Sequence, residues 1–192
     1  MALTRIGLNQ SINLASNVTG TLPAANGGTG ATSFTKGKVL QVTQNTDTSN
    51  TQSVSGNSYT DITFASTVFE GSITPSSSSN KILILPSIPM RTVHSGSNDA
   101  RAAVKIAGKI GSGSYSTIFS DPASAALLGG YDYGASGLQV GIIFSVNFLW
   151  SPSTTSECKV KFQIANNAGS GASVSVNRDG YGASVILIEI EG

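Results

Sequence analysis

The stretch "CKVKFQI", residues 158–164, decides the fold class. Cys158, Val160, Phe162 and Ile164 fall on one side of a two-residue period, and Lys159, Lys161 and Gln163 fall on the other. Only a strand with one dry and one wet face gives that alternation, because successive Cβ atoms of extended chain point to opposite faces. The same period runs through "KVLQVTQ" (38–44), "YTDITF" (59–64), "KILIL" (81–85), "RAAVKIA" (101–107), "LQVGIIFSVNFLW" (138–150), "ASVSV" (172–176) and "ASVILIEI" (183–190). Between these lie "TPSSSSN", "GSGS", "LGGYDYGASG", "SPSTTS" and "NNAGSG", whose Gly, Pro, Asn and Ser favour turns. No segment carries a capped helical stripe. The pattern predicts an all-β chain, a jelly-roll-like β-sandwich head over residues 37–192. Pro86 and Pro89 are expected on an edge or at a bend, since proline cannot donate to a ladder. One strand is expected to run from Leu138 to Trp150, with Val140, Ile142, Phe144, Val146, Phe148 and Trp150 on one face and Ile143 and Leu149 on the other. Apolar residues on both faces imply that part of the outer face is covered by a loop or by another subunit.

Residues 1–36 read differently. Leu3, Ile6, Leu8, Ile12, Leu14, Val18, Leu22 and Phe34 are scattered among small and polar residues without a sustained period. Such a segment buries too little apolar surface to offset its ordering entropy alone. It is expected to be an extended Gly-rich N-terminal arm that orders against a partner or against copies of itself.

Composition excludes several classes of function. Charged residues are only 11% of the chain and the formal net charge is +1. The cations are dispersed, so no basic stripe is available for a nucleic-acid backbone or an anionic membrane. No signal-peptide pattern and no apolar run of bilayer length occurs, so neither nucleic-acid binding nor membrane insertion is expected. Cys158 is the single cysteine, which rules out an intrachain disulfide and reads as a small buried hydrophobe. His94, near Asp99, lacks a nucleophile motif; one His and one Cys make no common zinc site, and no calcium loop is present. No catalytic residue, metal or cofactor is therefore assigned. A carboxylate pair assembled in space would leave no spacing signal in the sequence.

One surface element invites a binding role. In "GGYDYGASG" (129–137), Tyr131 and Tyr133 flank Asp132 among glycines. The rings offer stacking faces for a sugar or a partner side chain, and Asp132 can accept sugar hydroxyls. Alternatively, the tyrosines begin the following strand and cover the end of the sandwich. Tyr181, beside the Asp179–Gly180 turn, invites the same two readings.

The glycines of "ANGGTGATSFTKGK" (25–38) do not form a phosphate loop. Six residues separate Gly30 from Gly37 where a P-loop needs four, and Val39 follows Lys38 where the metal-binding hydroxyl belongs. Instead, "VTGTLPAANGGTGATSF" (18–34) closely resembles a phrase that recurs in bacteriophage tail-fibre and related virion-fibre proteins. "MALTRIG" and "GKVLQVTQ…SITPSSSSNKILIL" are similar to the short fibre proteins of marine tailed phages.

The resemblance implies a homotrimer in the virion, assembled in the host cytoplasm. Its arms, with Leu22, Pro23, Asn26, Gly27, Gly28 and Gly30 at their centre, would attach to other virion proteins or wind around one another. Its heads would contact a host surface glycan or protein. Two alternatives stay open: a capsid decoration or head-fibre protein bound to the coat lattice, and a tailspike-like polysaccharide depolymerase, although the repeats of a β-helix are missing.

Overall fold

The computed structural model describes residues 38–49, 52–93, 100–120, 131–132, 139–166, 172–177 and 180–192. The expected arm, with Leu22, Pro23, Asn26, Gly27, Gly28 and Gly30, lies outside them, as do His94, Asp99 and Tyr133.

Among the described residues the chain is built of strands, paired antiparallel throughout. One sheet contains β1 (Val39–Asp47), β2 (Gln52–Val54), β7 (Lys81–Val93), β11 (Gln139–Phe144), β12 (Phe148–Trp150), β14 (Ser173–Val176) and β15 (Ala183–Ile190). The other contains β3 (Thr60–Asp61), β6 (Glu70–Ile73), β8 (Ala100–Ile110), β9 (Ser116–Ser120), β10 (Tyr131–Asp132) and β13 (Cys158–Asn166). A small hairpin of β4 (Thr63–Phe64) and β5 (Thr67–Val68) interrupts the run from β3 to β6. It turns through Ala65 and Ser66, both at positive φ, as a twisted two-residue hairpin turn demands.

The long strand β7 organises the first sheet. On one side it pairs with β15 and then β14, and on the other with β12 and then β11. β1 closes the edge beyond β15, and β2 the edge beyond β14. In the second sheet β13 lies between β8 and the pair β3 and β6, while β9 and β10 flank the far side of β8. Collinear pieces merged, chain order alternates between sheets in the jelly-roll manner: first, eighth, third and sixth in one sheet, second, seventh, fourth and fifth in the other.

The core is what the alternation requires. Ile82, Ile84, Ile88, Val185 and Leu187 from the first sheet meet Val104, Ile106, Val160, Phe162 and Ile164 from the second, all inaccessible to solvent. Two glycines set the sheet spacing locally: a Cβ at Gly108 would sit 3.0 Å from the Trp150 ring, and one at Gly71 would sit 3.1 Å from Leu187. Cys158 is a buried free thiol, as expected. Burial, reinforced by the Glu157 charge, pushes its pKa up to about 11, so it stays protonated at neutral pH.

Two expectations are corrected. Pro86 and Pro89 lie in the interior strand β7, opposite Val185 and Ile143, and not on an edge. Each sits where a flanking strand stops. The Pro89 carbonyl accepts from the Asn177 N–H at 2.8 Å, just past the end of β14, and this is the side on which its missing N–H would point. Pro86, three residues earlier, turns the other way, toward the gap between β11 and β12. The same proline explains the second correction: the strand expected over 138–150 is two strands, interrupted at residues 145–147. The registers on either side put Val146 opposite Pro86, which offers the ladder no donor.

Candidate functional site

Of the three residues singled out for receptor contact, the backbone of Tyr131 and Asp132 forms β10, paired with Arg101 and Ala100 at the β9 side of β8. This short strand belongs to the second sheet, whereas β11 belongs to the first, so Tyr131 does not begin the strand that follows it in sequence.

Glu189, Asp61 and Glu70 have structural partners. Glu189 is buried on the inner face of β15, and its Oε1 accepts from the Ser76 N–H (2.6 Å), the Ser76 hydroxyl (2.8 Å) and Asn80 Nδ2 (2.7 Å). Burial pushes its pKa up, but these donors outweigh it and hold the carboxyl below its usual range. It therefore fastens the "TPSSSSN" turn before β7 as a carboxylate. Among the described residues no group of three or more His, Cys, Asp or Glu side chains is placed to hold a metal ion.

The outward face of the second sheet is a charged ladder. Lys161 Nζ reaches Asp61 Oδ2 at 2.8 Å, Gln163 Nε2 donates to Asp61 Oδ1 at 2.6 Å, and Lys159 Nζ reaches Glu70 Oε1 at 2.9 Å. Tyr115 also donates to Glu70, while Lys109 and Lys161 lie 5.0 and 4.5 Å from the centre of its ring. Lys105 lies 4.7 Å from the centre of the Tyr59 ring. Desolvation raises the pKa of Asp61 and of Glu70. Hydrogen bonds from Lys161 and Gln163 to the first, and from Tyr115 and Lys159 to the second, outweigh it and hold both below the usual range. Lys105, Lys109, Lys159 and Lys161 each have a ring or a carboxylate, which suits a solvated surface.

The outward face of the first sheet has another character. Register sets Val42 beside Ile188, Ile188 beside Leu83, and Leu83 beside Leu149, an apolar row across four strands. Ile186 and Leu85 form a second pair next to it. Val42 is 57% and Leu149 47% exposed, and Val39 and Leu40 are exposed at the near edge. Between Leu83 and Pro89, the outward residues of β7 are Leu83, Leu85, Ser87 and Pro89, none of them charged. Sequence reasoning singled out Leu149 and Ile143 but missed the rest of the row. Its signal was present in "KILIL" and "VILI", where consecutive apolar residues make both faces of a strand apolar.

The same face continues into a cavity of about 510 Å³ near the C-terminal half of β7, lined by Ser87, Pro89, Arg91, Ile143 and Tyr181 among others. Asn177, at positive φ, holds the loop that carries Tyr181: its Oδ1 accepts from the Gly182 N–H at 2.7 Å, and its own N–H is spent on Pro89.

No family model and no curated protein matches this sequence. Among solved structures the chain is similar to capsid protein VP2 of infectious bursal disease virus. The D431N mutant VP2 in T=1 particles is 13% identical with a TM-score of 0.36, the match covering 98% of this chain and 40% of that one. The T13 virus particle gives 12% identity and a TM-score of 0.35, covering 98% of this chain and 39% of that one. The chain thus spans about two-fifths of the length of these proteins. At such TM-scores the likeness has no bearing on function, and the jelly-roll order stands on the hydrogen-bonded registers.

Proposed function

We propose that this chain is a non-enzymatic virion structural protein, a phage tail fibre whose jelly-roll head assembles as a homotrimer and attaches the particle to its host. The observation that carries the reading is the uncharged row of Val42, Ile188, Leu83 and Leu149 on the outward face of the first sheet. A face of that kind is favourable only when covered, since each apolar side chain removed from water gains of the order of 25 cal/mol per Å². Three copies turning this face toward a common axis would cover it. The resemblance of residues 18–34 to phage fibres supplies the kind of particle, and makes residues 1–36 the segment that docks on other virion proteins.

Attachment in this reading is multivalent. Weak contacts repeated over three heads gain affinity through effective concentration, so no head needs a deep site. Cryo-microscopy of virions labelled with an antibody to the head tests the assignment. Label at the tail supports a tail fibre, label on the coat lattice makes the chain a capsid decoration protein, and virions without label overturn the reading.

A further inference from the structure

The cavity beside β7 contains an unanswered charge. Arg91 faces outward from β7, and its Nε and Nη2 are buried without any hydrogen-bond partner. Two guanidinium nitrogens shielded from water and left unpaired are costly, and a carboxylate is the group whose geometry matches that edge best. Its surroundings leave room for one. The residue paired with it on β11 is Gly141, where an added Cβ would meet nothing within 4 Å. The residue paired with it on β14 is Ser175, whose hydroxyl is already engaged with Ser53 at 3.1 Å. Among the described lining residues Arg91 is the one that carries a charge, beside Pro89, Met90, Ile142, Ile143, Ser87 and Tyr181, which is 79% exposed.

We infer that this cavity binds the carboxylate of an acidic sugar, with Arg91 pairing the carboxylate, Tyr181 stacking on the ring and Ser87 reaching a hydroxyl. A single positive charge in apolar surroundings balances a monoanion. A phosphate or sulfate ester cluster would need further cationic donors, and among the described lining residues Arg91 is the one cation. An exposed tyrosine ring next to that charge supplies the flat apolar face on which a pyranose packs. Along β7, Arg91 lies eight residues from Leu83, about 26 Å of extended chain, and Ser87 lies four. Only the origin of the sugar, a host surface glycan, rests on the fibre reading; the chemistry of the site does not.

The test is calorimetric titration of the purified full chain with trigalacturonate, glucuronate and N-acetylneuraminate, and with fully methyl-esterified trigalacturonate as the neutral counterpart. At least one acid is expected to bind saturably, and esterification or Arg91→Gln to weaken it about tenfold or more, the loss of one charge-assisted pair. Arg91→Lys should fall between, because it keeps the charge and loses the fork, and Tyr181→Ala should weaken binding with unchanged melting. No binding of any acid, equal binding of acid and ester, or full binding by Arg91→Gln with intact circular dichroism would each overturn the inference. Virion localisation fails independently: a chain absent from virions that still binds the acid keeps this site and loses the fibre reading.

Discussion

On the second sheet, the outward cations of β13 each meet a carboxylate, Lys159 on Glu70 and Lys161 on Asp61. On the first sheet, the outward row Val42, Ile188, Leu83 and Leu149 contains no polar atom beyond its backbone. Both sheets share one core, so folding of the head does not explain the difference. A face whose charges answer one another is complete in water, whereas an apolar face without charge is incomplete until something covers it. The interface we propose is placed by the contrast between two surfaces of one sandwich.

The largest effect should come from putting charge into the apolar row. Leu83→Glu together with Leu149→Glu should abolish assembly, because burying an unpaired carboxylate costs several kcal/mol at an interface. The variant head should still melt cooperatively, because both side chains point away from the core. Light scattering and circular dichroism on one sample read both outcomes, and an intact trimer would assign the interface elsewhere.

The matching change on the charged face should be far smaller. Asp61→Asn removes a partly exposed pair and should cost about 1 kcal/mol or less in urea unfolding, with no change in mass. Acid tests the same face. Asp61 and Glu70 have folded pKa values below their ordinary ones, so they contribute stability that is complete above those ordinary values and is lost as pH falls through the depressed ones. Melting temperature should therefore be insensitive to these groups between pH 7 and about pH 5 and fall below about pH 4. The apolar interface should not share that dependence, so mass by light scattering should stay constant until the head unfolds. Dissociation in the window where only these carboxylates titrate would mean that the charged face is the interface.

Replacement of both Tyr131 and Tyr133 by Ala should weaken adsorption to host cells and leave assembly and melting nearly unchanged. Full adsorption would remove that segment from receptor contact and leave the Arg91 cavity as the candidate. The smallest expected effect is none: EDTA should not alter the melting curve, and a large fall would expose a metal site built from distant carboxylates.

Much of this contrast was legible in the chain. "CKVKFQI" gives both the inward Val160 and Phe162 and the outward Lys159 and Lys161, because strict alternation needs only the local period. "ASVILIEI" gives β15 to the residue, yet its Glu189 lies inward, which alternation alone would reserve for an apolar side chain. Its partners Ser76 and Asn80 lie more than a hundred residues away, and pairing at that range leaves no local trace. Pro86 and Pro89 misled for the same reason: whether a proline breaks a sheet depends on what its neighbouring strands do opposite it, and those neighbours come from residues 139–150 and 173–190. The Arg91 cavity was invisible because it is made by a missing side chain, Gly141, on a strand joined to β7 only by register.

The most direct test of the central claim is the mass of the unaltered full chain by multi-angle light scattering at micromolar concentration, near pH 7 and moderate salt. An assembled apolar face gives three times the 19.5 kDa of one chain, unchanged on raising the salt. A mass of one chain across that range would mean that the face stands open in solution and would contradict the account.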